Sequence, residues 1–124
     1  MSKYVELIIG GSIGTIARYV VAGVVYNIFG TTFPYGTLVV NLSGCFIIGF
    51  LSSLAEEKFL LGSNVRVMLM MGFCGAYTTF STLIFETNNL VQDGEMMRAF
   101  LNLFISVLAG FIIFRAGVLI AEIL

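Results

Sequence analysis

The sequence has no histidine, no tryptophan, one proline and two cysteines, and only 10% of its residues are charged. Without histidine, the usual zinc sites and imidazole catalysis are excluded, and a serine or cysteine nucleophile lacks its common base. One proline and no low-complexity run exclude a fibrous or linker-rich chain. Six basic residues against seven acidic ones leave a net charge of −1, so the chain lacks the excess of positive charge that is typical of nucleic-acid-binding proteins.

Apolar residues dominate the chain. They make up 59% of the 124 residues, and the mean hydropathy is +1.05, whereas a soluble domain has about 45–50% apolar and about 25% charged residues. This balance argues against a soluble enzyme and against a disordered chain. It predicts a multi-pass integral protein of the cell membrane, and the length predicts a single domain over residues 1–124.

Four apolar segments are each long enough to cross a bilayer, which takes about 20 residues. The connections between them are short and polar, so consecutive helices are expected to be antiparallel neighbours. The predicted fold is therefore all-α, with four transmembrane helices. The predicted segments cover approximately residues 4–28, 35–55, 65–91 and 97–123.

Charged residues in two segments are unexpected in lipid. Arg18 lies in the middle third of the first segment, where a charge costs about 2.5–3.5 kcal/mol to insert. The nearby stripe of Gly10, Gly11 and Gly14 permits close helix approach. Two interpretations of Arg18 remain open: an arginine that faces a wet vestibule, or a structural arginine that snorkels or pairs, for instance with Glu86. Glu86 can equally reach the membrane interface.

Further polar side chains lie within the second and fourth segments. Asn41 lies about two turns into the second, where a buried amide needs a partner on another helix or faces a pore. Asn102 and Ser106 share one face of the fourth segment, a pattern that suits either a polar stripe or helix packing. Cys45 and Cys74 have no metal or redox spacing, so buried apolar thiols are expected.

The third segment is the most unusual of the four. Its residues 72–82, GFCGAYTTFST, place two glycines and four serine or threonine residues in the middle of a span. Such residues weaken helices, so we expect a break near the middle of the helix. A break at membrane depth frees carbonyls that can hold a cation and amides that can face an anion. A packing face of small residues is the alternative.

Basic residues give only a weak orientation signal. Lys3, Lys58 and Arg66 are expected on one side of the membrane and Arg98 on the other. Because so few positive charges set the topology, copies in both orientations within one membrane are plausible.

Three motifs together resemble those of the Fluc (CrcB) fluoride channels. They are residues 10–14 (GGSIG) followed by Arg18 and Tyr19, residues 34–41 (PYGTLVVN), and residues 72–82. The resemblance covers all four segments in order. It implies an antiparallel, dual-topology dimer with two fluoride pathways, each lined by both subunits. It also implies passive export of fluoride from the cytoplasm, which reduces fluoride toxicity, and strong rejection of chloride.

The resemblance also implies roles for particular residues. Main-chain carbonyls of Gly75 and Thr78 would hold a central sodium ion, which is structural and not transported. The first of two pore phenylalanines falls on Phe80, whose positive ring edge can face an anion. The implied fluoride pathway passes Asn41, Phe80, Ser81, Thr82, Leu83 and Ser106.

One position departs from the family pattern. Leu83 stands where the second pore phenylalanine is usual, and leucine has no ring edge. The chain is therefore either a homodimeric channel that needs only Phe80 in each pathway, or one half of a heterodimer whose partner supplies the second ring. A small dual-topology multidrug exporter is a remote alternative. It needs an embedded glutamate, whereas Glu6 is near the start of the first segment and Glu86 lies beyond the expected break.

Overall fold

The computed structural model describes residues 2–124, which form four spans. The elements are α1 (Lys3–Phe29), α2 (Tyr35–Glu56), α3 (Ser63–Arg66), a π-helical segment (Val67–Cys74), α4 (Gly75–Tyr77), α5 (Phe80–Gln92) and α6 (Met96–Ile123). The spans long and apolar enough to cross a membrane are α1, α2, Ser63–Gln92 and α6. The four predicted segments are therefore confirmed, with their ends within two residues of the prediction.

Local signals in the sequence explain where the first two helices begin and end. The Ser2 hydroxyl accepts a hydrogen bond from the Tyr4 N–H and caps α1. Gly30 follows the helix with a φ of 84°, a conformation that favours glycine and stops the helical path. Pro34 directly precedes α2, where its missing N–H costs no helical hydrogen bond.

The glycine stripe of α1 packs directly against the backbone of the third span. A Cβ at Gly10 would overlap the Met68 carbonyl oxygen, and a Cβ at Gly14 would overlap the Phe73 carbonyl oxygen. Residue Gly72 of the third span returns the contact, because its own Cβ would lie 3.2 Å from the Gly10 Cα. The predicted close helix approach is thus confirmed. It brings the backbones together at the π-helical segment.

Helices α2 and α6 approach each other in the same way. A Cβ at Gly49 would overlap the Phe114 carbonyl oxygen, and a Cβ at Gly117 would overlap the Phe46 carbonyl oxygen. Two backbone contacts, one from each helix, therefore hold this pair together. Small residues serve this purpose in membranes, where neighbouring helices gain little from the hydrophobic effect.

We expect Gly10→Ala to destabilise the protein by about 1–3 kcal/mol, because the new methyl group meets a backbone carbonyl that cannot turn away. The measurement is the thermal unfolding midpoint of the purified protein in detergent. Gly23→Ala is the matched control on the same helix, since a Cβ there meets no atom within 4 Å. Equal midpoints for the two variants would contradict the close packing of α1 on the third span.

Large apolar side chains lie mostly on the outside of the four spans. Ile8, Ile16, Phe100 and Phe111 are among the exposed ones. Fully buried positions are instead occupied by smaller or polar residues, which include Val40, Ser53, Cys74 and Asn102. This distribution suits a protein whose surrounding solvent is hydrocarbon, and it leaves polar groups to face one another inside.

Candidate functional site

The third span is interrupted near its middle by two threonines. Thr78 (φ −87°, ψ 157°) and Thr79 (φ −150°, ψ 123°) are extended between α4 and α5. Thr79 also starts the next helix, because its hydroxyl oxygen accepts the Thr82 N–H at 3.2 Å and donates to the Thr82 hydroxyl at 3.0 Å. Threonine is a favoured residue at a helix start for this reason.

Asn41 of α2 forms two hydrogen bonds with the backbone at this interruption. Its amide nitrogen donates to the Thr79 carbonyl oxygen at 3.0 Å, and its amide oxygen accepts the Thr79 N–H at 2.8 Å. The amide oxygen of Asn41 thus replaces the Gly75 carbonyl, which the Thr79 N–H would bond in a continuous helix. A side-chain amide suits this task because it carries a donor and an acceptor side by side. One N–H of the amide remains for another acceptor.

Two carbonyls near the interruption lose their normal helical donors. In a continuous helix, Gly75 and Thr78 would accept from the N–H groups four residues later. The Thr79 N–H instead donates to Asn41, and the Thr82 N–H donates to the Thr79 hydroxyl. Gly75 is also exposed on the protomer surface. Free carbonyl oxygens are the ligands that hard cations such as sodium prefer, so this donor set fits the expected ion.

A cavity of about 290 Å³ lies beside the interruption. Asn41, Phe80, Leu83 and Ser106 line it, and we call it the Phe80 cavity. The Ser106 hydroxyl is buried and has no hydrogen-bond partner in the described part of the chain. Phe80 is 72% exposed in the single chain, whereas Leu83 is only 6% exposed. Four of the six predicted pathway residues therefore share one cavity.

A larger cavity of about 690 Å³ lies on the side of α1. Arg18, Tyr26, Thr37, Thr82 and Glu86 are among its lining residues, and we call it the Arg18 cavity. The pairing of Arg18 with Glu86, one of the two structural alternatives for the arginine, is not found among residues 2–124. Glu86 instead accepts a hydrogen bond from the Tyr26 hydroxyl at 2.8 Å. The vestibule and snorkelling interpretations of Arg18 both stay predictions.

The polar stripe of α6 divides into two roles. The Asn102 amide is buried and donates to the Thr87 hydroxyl at 2.9 Å, and this hydroxyl donates to the Leu83 carbonyl oxygen at 2.7 Å. Asn102 therefore joins α6 to the middle of α5, as the packing interpretation expects. Ser106, one turn further along, faces the Phe80 cavity without such a partner.

The remaining predicted residues lie close to these cavities. Ser81 is exposed and lines neither of them, although its hydroxyl lies 3.4 Å from that of Thr79. Cys74 is buried as expected, while Cys45 is only half-buried, and both thiols line the Phe80 cavity. The Cys45 thiol packs closely against α6, since a Cβ at Gly110 would lie 3.4 Å from its Sγ.

Several polar residues inside the fold were not predicted from the sequence. Tyr26 and Thr37 had no signal beyond being polar residues near helix ends, and Thr87 had none beyond its place on α5. Glu6 was set aside as near the start of its helix. The residue is nonetheless only 4% exposed, and its Oε2 has no partner in the part of the chain that the structure describes. It lines neither the Phe80 cavity nor the Arg18 cavity.

Fold and site together define a small multi-pass cell-membrane protein whose polar groups meet at an interruption in one span. Residues 5–118 match the family described as "CrcB-like protein, Camphor Resistance (CrcB)". The chain belongs to the CrcB family. This membership confirms the resemblance carried by the three motifs, and it confirms that the chain is not an enzyme.

Similar proteins cover nearly the whole length of the chain. The "Fluoride-specific ion channel FluC" of Sulfurihydrogenibium sp. (strain YO3AOP1) is 42% identical over 124 residues, which is 100% of both chains. The protein of the same name from Geobacter sp. (strain M21) is 40% identical over 122 residues, 98% of both. That of Methylocella silvestris is 44% identical over 106 residues, which is 84% of this chain and 81% of the relative.

Proposed function

We propose that this chain is the subunit of a fluoride-selective channel through which fluoride leaves the cytoplasm passively, so that fluoride toxicity is reduced. The names of its relatives support this function. The observation that carries it is the Phe80 cavity, where the Asn41 amide, the unpartnered Ser106 hydroxyl and the Phe80 ring meet. All three groups are neutral, and each can present a positive edge or hydrogen to an anion.

Neutral donors suit the passage of fluoride. Fluoride is small and strongly hydrated, so a pathway must replace its water with donors without trapping the ion. Conduction requires binding that is favourable enough for entry and weak enough for release. Ser106 and the second N–H of Asn41 supply single hydrogen bonds, while Arg18 in the larger cavity supplies a positive charge that attracts anions toward the pathway.

The proposed assembly is an antiparallel, dual-topology homodimer with two pathways, each lined by both subunits. Phe80 is 72% exposed on the protomer, and Gly75 is exposed as well. Residues at a pathway and a cation site are therefore open to a second subunit. The weak bias of the basic residues permits both orientations in one membrane.

We also propose that a sodium ion is held at the centre of the dimer by the Gly75 and Thr78 main-chain carbonyls. The diversion of their helical donors to Asn41 and Thr79 supports this assignment. When bound, the ion supplies positive charge that offsets the repulsion between carbonyl dipoles of the two subunits. It has a structural role and is not transported.

The test is fluoride efflux from liposomes that contain only the purified protein, measured with a fluoride electrode beside a chloride measurement. We expect rapid release of fluoride with little release of chloride. Comparable release of both ions would contradict fluoride selectivity. No release from a well-folded dimer would contradict the homodimer and favour the paired-subunit alternative.

A heterodimer is the second candidate assembly, and Leu83 is the observation that favours it. This leucine lines the Phe80 cavity at the position where the family pattern has a second phenylalanine. A homologous partner subunit could supply the missing ring to one of the two pathways. Co-reconstitution with such a partner would then give fluoride release that neither chain gives alone.

We expect Leu83→Phe to keep or raise the fluoride flux of the homomeric protein. The side chain already borders a cavity of about 290 Å³, so there is space nearby for a ring, and the ring restores a positive edge to the pathway. The measurement is the initial rate of fluoride efflux from liposomes at equal protein content. A large loss of flux would show instead that Leu83, which is 6% exposed, is tightly packed against its neighbours.

A further inference from the structure

The Tyr26 hydroxyl links α1 to the helix that follows the interruption. It donates to Glu86 Oε2 at 2.8 Å, across 60 residues of sequence, and it lies 3.5 Å from the Thr37 hydroxyl. The ring is seated on α2 at Gly36, where a Cβ would overlap the ring atoms. Tyr26 is therefore held by one helix while its hydroxyl holds a carboxylate on another.

Glu86 has little else to hold it. Its second oxygen, Oε1, is buried and has no hydrogen-bond partner in the described part of the chain. A buried oxygen without a hydrogen-bond partner costs free energy, so this oxygen of Glu86 would gain from a further donor. Arg18 lines the same cavity, yet it forms no ion pair with Glu86 among residues 2–124. Of these two residues, only Tyr26 contacts the Glu86 carboxylate in the part of the chain that the structure describes.

We propose that Tyr26 is a positioning residue for anion passage, which holds Glu86 at the wall of the Arg18 cavity and so keeps Arg18 available to anions. This inference rests on the proposed channel function. Without the hydroxyl, Glu86 turns toward Arg18. The ion pair then cancels the positive charge of the cavity, and a carboxylate stands where anions enter.

The test is a double-mutant cycle of fluoride efflux. We expect Tyr26→Phe to lower the initial flux about fivefold or more, because a hydrogen bond to a charged group is lost while the ring is kept. In a Glu86→Gln background the same change should alter the flux less than about twofold, since no charge remains to be held. Tyr4→Phe, at an exposed position on α1, is the matched control and should leave the flux unchanged.

Two flux results would overturn the inference. Unchanged flux in Tyr26→Phe would show that the hydroxyl does not position Glu86. An equal loss in both backgrounds would show that Tyr26 acts through packing alone. If Tyr26 acted only through packing, neutralising Glu86 would not restore the flux. The cycle therefore separates positioning of Glu86 from packing.

A second double-mutant cycle tests the inference through thermal stability, without a flux measurement. The coupling between Arg18→Gln and Glu86→Gln is measured from thermal unfolding midpoints of the purified protein. We expect no coupling when Tyr26 is present and a clear coupling in Tyr26→Phe protein, where the ion pair forms. Equal coupling in both would overturn the inference. Wild-type protein without fluoride flux would contradict the proposed homodimeric channel, and this cycle would then decide the inference by itself.

Discussion

Replacing Asn41 with aspartate should nearly abolish fluoride flux, by about a hundredfold or more. The amide donates to the Thr79 carbonyl and accepts the Thr79 N–H at the same time. A carboxylate can only accept, so it would face the Thr79 carbonyl oxygen with a repulsive contact. It would also place a part-buried negative charge beside the proposed anion pathway. Each unsatisfied buried group costs about 1–3 kcal/mol, and a charge costs more.

The measurement is fluoride efflux from liposomes, with size-exclusion chromatography to establish that the variant still assembles. Asn88→Asp makes the same chemical change at an exposed position of α5 and should retain flux. If Asn41→Asp conducts within about twofold of the wild type, its amide is not required at the pathway, since a change of that size is smaller than the loss of one hydrogen bond.

Replacing Phe80 with isoleucine should lower fluoride flux about tenfold while leaving the assembly intact. The ring lines the Phe80 cavity and is 72% exposed on the protomer, so few contacts within the subunit depend on it. Isoleucine keeps apolar bulk but lacks the positive ring edge that can face an anion. The loss should therefore appear in the flux and not in stability.

Phe85→Ile provides a matched control for this prediction. Phe85 lies on the same helix, is 65% exposed, and lines neither cavity. Flux and thermal unfolding are measured for both variants. If both lose flux equally, the effect reflects general loss of aromatic surface. If neither does, the ring edge of Phe80 is not used.

The two extended residues of the third span, Thr78 and Thr79, lie within the segment whose composition is unusual. Glycine, threonine and serine in residues 72–82 weaken a helix by their own chemistry, so local composition indicated the weak region. The exact residues, Thr78 and Thr79, depend on a partner outside the segment. Asn41, 38 residues away, takes the Thr79 N–H that would otherwise continue the helix.

The polar residues of α6 show where sequence reasoning could not decide. Asn102 and Ser106 lie one turn apart on the same face, so helical periodicity treats them alike. In the fold, the Asn102 amide bonds Thr87 of α5, while Ser106 lines the Phe80 cavity and its buried hydroxyl has no partner in the described residues. Which of the two packs and which faces the cavity depends on the neighbouring helix.

The sequence by itself determined the class of protein, the four spans and the family. These follow from apolar content, segment length and motif spacing, which are properties of the chain alone. Only the tertiary structure decided the partners of Asn41, Glu86 and Asn102. Each hydrogen bond joins side chains on different helices, at distances that depend on how the glycine contacts bring those helices together. A donor and an acceptor on different helices can bond only when the packed backbones bring them within reach. No local pattern along the chain specifies which pairs these are.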